Sequence, residues 1–121
     1  MFTTPADFST IKRLGTLSIS DVNPSSAPFN HFRIRVYRLL SGGNRVIVFT
    51  SDTFLGGSAT ETYTFVDAED ANAATNEIGI IDGQSYQIEL IEFDAGETME
   101  ALMEEWFTYV FPDNIETQGI T

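Results

Sequence analysis

The stretch Ile81-Asp82-Gly83-Gln84-Ser85-Tyr86-Gln87-Ile88-Glu89-Leu90 constrains this chain more than any other. Asp82-Gly83 is a turn dipeptide, because glycine takes positive φ without the penalty a Cβ brings. Beyond the turn, Tyr86, Ile88 and Leu90 alternate with Gln87 and Glu89, which is the period of a strand with one buried face. A tyrosine at the mouth of such a strand can bury its ring and bond its hydroxyl to nearby backbone. The expectation is a buried Tyr86 whose hydroxyl is tied to the preceding link, with Ile81 and Gly83 shaping the corner.

The rest of the chain repeats the short-strand pattern. Leu17 and Ile19 alternate with Thr16 and Ser18. In Phe32-Arg33-Ile34-Arg35-Val36 the even positions are apolar and the odd ones are arginine. Ser41-Gly42-Gly43-Asn44 is a glycine-rich hairpin turn that returns into the β-branched run Arg45–Thr50. Tyr63 and Phe65 share a face in the next strand. Met99, Leu102, Met103 and Trp106 fall at i, i+3, i+4 and i+7, and Gly96, Glu97 and Glu100 suit a helix start, so this spacing predicts one short helix before a last strand at Phe107–Phe111. Short strands set off by turn signals make an all-β, two-sheet sandwich. The predicted boundaries are an N-terminal arm or edge strand at 1–13, a sandwich domain at 14–112 and a tail at 113–121.

At 121 residues the chain is one domain with a single core. It has no cysteine, which excludes a disulfide framework, a thiolate metal site and a cysteine nucleophile. No apolar run is long enough for a membrane helix, and residues 1–10 lack a signal-peptide pattern. With Met1 as a native start, the expectation is synthesis inside a cell and no membrane partner. All six basic residues lie at or before Arg45, giving net +4 for 1–45, whereas the remainder carries −16. A polyanion is repelled by most of such a surface, so no nucleic-acid partner is expected. The two charge blocks can pair within one subunit or between subunits. Pairing within the subunit is the larger expected effect, with Arg33 and Arg35 facing Glu89 across a sheet.

The span from Leu14 to Phe111 resembles a fibronectin type III domain or, more loosely, an immunoglobulin-like one. Ile81, Asp82, Gly83 and Tyr86 stand where that family carries its Leu-Pro-Gly-Tyr corner, and Phe32–Tyr37 looks like its C strand, followed by a C–C′ hairpin at Ser41–Asn44. The tryptophan usual in the family's B strand is missing from Ser18–Val22, and the predicted helix is atypical. The resemblance implies an immunoglobulin-like sandwich.

The residues give little support to catalysis or cofactor binding. His31 is the one histidine, and no local nucleophile or orienting acid accompanies it. Asp67, Glu69, Asp70 and Asn72, and again Glu92, Asp94 and Glu97, group oxygen ligands without meeting the Ca²⁺-loop pattern. Neither a metal nor a cofactor is expected. Sugar recognition would call on Tyr37, Trp106 or Tyr109.

The expected function is therefore that of a non-enzymatic structural or interaction module. Small immunoglobulin-like domains of this kind resemble accessory proteins of tailed bacteriophage virions, such as capsid decoration or head and tail appendages, which would place the chain in a virion and give it a capsid or tail lattice as partner. The alternative is an adhesion or carbohydrate-binding accessory module of a secreted bacterial protein, which would be extracellular. Candidate interaction residues are Phe2, Phe8 and Ile11 of the arm, which could also drive homo-oligomer formation, and Arg33, Arg35 and Tyr37 of the arginine strand.

Overall fold

A computed structural model of the chain describes residues 15–69 and 76–110, together with the backbone of 2–4 and 9–11. Among the described residues nine strands lie in chain order: β1 (Phe2–Thr4), β2 (Ser9–Ile11), β3 (Thr16–Ile19), β4 (Phe29–Leu39), β5 (Arg45–Thr50), β6 (Glu61–Asp67), β7 (Glu77–Ile80), β8 (Ser85–Asp94) and β9 (Glu100–Val110). A four-stranded sheet has the order β1-β3-β6-β7, and a five-stranded sheet the order β2-β9-β8-β4-β5. The two faces that meet between them bury Leu17, Ile19, Tyr63, Phe65, Ile78 and Ile80 against Ile34, Val36, Phe49, Ile88, Leu90, Trp106 and Val110.

Period-2 alternation explains most of this. In β4 the even residues Phe32, Ile34 and Val36 are buried, and the arginines point to the other face. The β4–β5 turn is a 3-10 segment at Ser41–Gly43, closed by Leu40 N–H donating to Asn44 O at 2.8 Å. Gly42 and Gly43 have φ of 75° and 83°, a region costly for any residue with a Cβ.

The predicted helix is not there. Met99 lies in the turn before β9, while Leu102, Met103 and Trp106 belong to that strand. β8 is already paired with β4 on one side, so its other edge would leave a row of backbone N–H and C=O groups unpaired inside the molecule. β9 satisfies that row from Ser85↔Tyr109 to Phe93↔Glu100, which a short isolated helix could not do. Met103 is the extra residue of a bulge, opposite the step from Leu90 to Ile91. The bulge resets the alternation, so Trp106 turns inward at 4% exposure while Leu102 stays half exposed on the outer face. The helical spacing of the four apolar residues was a coincidence of strand alternation interrupted by one bulge.

Two parts of the arm are strand. β1 pairs antiparallel with β3 in one sheet, and β2 pairs parallel with β9 in the other. Phe8 and the side chains of Phe2 and Ile11 lie outside the described residues, as does the predicted tail.

Candidate functional site

At the corner, Tyr86 is 1% exposed, and Ile81 N–H donates to its hydroxyl oxygen at 2.7 Å. Gly83, at φ 77°, turns the chain between them and donates its N–H to Val110 O at 2.8 Å, which joins the corner to the end of β9. Burial raises the Tyr86 hydroxyl above the usual tyrosine pKa, opposed by the Ile81 hydrogen bond. Nothing in this arrangement presents a reactive group. Ile81, Gly83 and Tyr86 act together as a structural clamp.

The chemistry-bearing surface is the outer face of the five-stranded sheet. Strand register places side chains there in four rows across β4, β8 and β9: Tyr37/Gln87/Phe107, Arg35/Glu89/Glu105, Arg33/Ile91/Leu102 and His31/Phe93/Glu100. The middle member of each row is buried although it faces outward, because long side chains from β4 and β5 lie over it. The Arg33 and Arg35 guanidinium groups sit 5.3 and 5.8 Å from the centre of the Phe93 ring. Arg45 stacks on Tyr37 at 3.9 Å.

Arg35 stands directly opposite Glu89 in the register, yet its ion pair is elsewhere. Its two terminal nitrogens hold Glu100 at 2.9 and 3.2 Å, while Arg45 takes Glu89 at 3.1 Å and Arg33 takes Glu97 at 3.3 Å. An extended arginine is longer than the roughly 4.8 Å between neighbouring strands, so its head overshoots β8 and lands beside β9. Each exposed pair contributes on the order of 0.2–1 kcal/mol. Their joint effect is geometric: three arginines from the basic first third of the chain are paired with glutamates of the acidic remainder on one face. The Arg35 hydrogen bonds hold the Glu100 carboxyl below its usual pKa. Asp94 is lowered too, chiefly by the Met99 N–H and by the Thr98 side chain, both of which its carboxylate accepts in the β8–β9 turn.

Of the interaction candidates, Arg33, Arg35 and Tyr37 thus come together on this face. Sequence reasoning missed Arg45, Phe93, Glu97 and Glu100, which complete it. Arg45 opens the strand after the hairpin, so its partnership with Tyr37 was readable once the turn length was known. The acids grouped at 92–97 each have a protein partner: Glu92 accepts from the Ser25 N–H and hydroxyl, Asp94 closes the turn and Glu97 holds Arg33. Asp70 and Asn72 fall outside the described residues. His31 Nδ1 lies 2.7 Å from Asn30 Oδ1 at the end of the face. Half-exposed apolar side chains border the face at Ile47, Leu102 and Tyr109, at 49, 51 and 37%. Compared with known proteins, the chain matches no family model and no curated relative.

Proposed function

We propose that the chain is a non-enzymatic interaction module with an immunoglobulin-like fold, serving as an accessory protein of a tailed-phage virion that binds a capsid or tail lattice. The observation that carries the interaction reading is the composition of the outer face. It gathers tyrosine, phenylalanine and arginine around half-exposed Ile47 and Leu102, with its three arginines already ion-paired, and has no lysine among its described residues. Protein interfaces are enriched in those aromatics and arginine and depleted in lysine.

The strand arrangement supports the immunoglobulin-like assignment. An arm that pairs antiparallel with β3 and then parallel with β9, a β9-β8-β4-β5 order and a tyrosine clamp at the start of β8 all match that plan. One strand departs from it. β7 follows β6 and pairs with it in parallel, where the family has an antiparallel strand that precedes. The virion assignment rests on the resemblance of small sandwiches of this kind to phage accessory proteins. Of the three aromatics a sugar site would call on, Trp106 is buried and Arg45 covers the Tyr37 ring, which leaves Tyr109 exposed and weakens the sugar-binding alternative.

The test is mass spectrometry of purified particles from the phage that encodes the chain, followed by rebinding of recombinant protein to particles lacking it. Stoichiometric presence and saturable rebinding support the reading. A chain absent from particles and unable to rebind would remove the virion assignment.

A further inference from the structure

The four rows of the outer face have a symmetry property that points to a specific partner. β4 carries Tyr37, Arg35, Arg33 and His31, and β9 carries Phe107, Glu105, Leu102 and Glu100 at the same levels, with β8 between them. A twofold axis running along β8 lays the β4 side of one copy over the β9 side of another, row on row. The facing pairs are then Tyr37 with Phe107, Arg35 with Glu105, Arg33 with Leu102 and His31 with Glu100. One of these sets an arginine against a glutamate, one sets His31 against Glu100, one sets aromatic on aromatic, and one lays the arginine stem on leucine; β8 meets itself at the axis, with each Glu89 paired to the Arg45 of its own copy. A twofold axis across the strands would instead stack the arginine strand on itself and oppose like charges.

We infer that this face is a self-complementary interface, on which a second copy of the chain packs face to face about an axis parallel to β8. The inference deepens the interaction reading but does not need the virion assignment. Size is consistent with it. Central strands of 10 and 11 residues, with the shorter β5 and β2 beside them, offer roughly 600 Å² at standard strand spacings, so two copies bury about 1,200 Å². Charge is consistent as well. The formal charge of −12 opposes association through most surfaces, whereas on this face three arginines offset Glu89, Glu97 and Glu100, leaving Glu105 in excess. Isologous pairing also gives each contact twice, as closed dimers require.

Sedimentation equilibrium of the full chain, from micromolar to near-millimolar concentration, tests this. The expected result is a monomer–dimer equilibrium that Leu102→Lys and Glu105→Arg each weaken by about tenfold or more. Both side chains are largely exposed, so circular-dichroism melts should stay close to those of the parent. The axis is tested separately, since the chain has no cysteine of its own. Stacked sheets lie about 10 Å apart, so a bismaleimide of about that length added to mixed Tyr37→Cys and Phe107→Cys protein should give mixed cross-linked dimers in preference to same-variant ones. A monomer at every concentration, a dimer indifferent to Leu102→Lys and Glu105→Arg, or a predominance of same-variant cross-links would each overturn the inference. Particle binding is read in a different experiment, so failure of one proposal leaves the other to stand or fall alone.

Discussion

Replacing Tyr86 with phenylalanine isolates one hydrogen bond while leaving the buried ring in place. The ring is 1% exposed and packs in the core, so its burial is common to both proteins. What disappears is the acceptor for the Ile81 N–H, held at 2.7 Å. A hydrogen bond of this kind contributes about 1 kcal/mol net, rising toward 3 kcal/mol when the stranded partner is sealed from solvent. The bond is only part-buried and Ile81 itself is 43% exposed, so the lower figure applies. The expected loss is about 1 kcal/mol, equivalent to a fall in Tm of about 3–5 °C for a domain of this size. Urea denaturation should show a lower midpoint with an unchanged m-value, since the exposed surface on unfolding is the same. Tyr86→Ala, by contrast, opens a cavity and should cost about 3–5 kcal/mol. If Tyr86→Phe left the midpoint where it was, the hydroxyl would contribute nothing and the corner would be held by packing alone.

Glu92→Ala removes the 2%-exposed carboxylate that accepts from the Ser25 N–H and hydroxyl; about 2 kcal/mol should be lost, and amide exchange should accelerate at Ser25 and its neighbours. Gly56→Ala places a Cβ 2.1 Å from Val22 O and 2.7 Å from the Phe32 ring; the backbone bridge between Val22 and Gly57 must open, at a cost of about 2–3 kcal/mol in denaturant melts. Asp94 and Glu100 both have folded pKa values below their unfolded ones, so their contribution is complete above the ordinary carboxylate range and is lost as pH falls beneath it; acid titration of Glu100→Gln should show a shallower loss of stability below about pH 4 than the parent. At the alkaline end, burial pushes the Tyr63 hydroxyl up to about 12, so stability should decline as pH rises from the ordinary tyrosine value of 10.0 toward that figure, and Tyr63→Phe should abolish that part of the slope.

Local patterning was sufficient to read most of the framework. Alternation in Phe32–Val36 and Tyr86–Leu90 located β4 and β8 and assigned their buried faces, because a two-residue period is a property of the strand itself. The Asp82-Gly83 turn and the tyrosine after it announced the corner for the same local reason. The charge division along the chain foretold pairing between its basic and acidic parts, and Arg33, Arg35 and Arg45 do pair with Glu97, Glu100 and Glu89. Which arginine meets which glutamate was not readable, since that depends on how far a side chain reaches across strands brought together from distant positions. Nor was the fate of Met99–Trp106. A single bulge gave a strand the spacing of a helix, and only the unpaired edge of β8, supplied by the rest of the fold, decided between them. The buried Glu92 belongs to the same class: its alternation placed it facing inward, but the Ser25 loop that satisfies its carboxylate comes from 67 residues away. Period and turn chemistry are written residue by residue, whereas backbone pairing and the partners of long charged side chains exist only once the sheets have assembled.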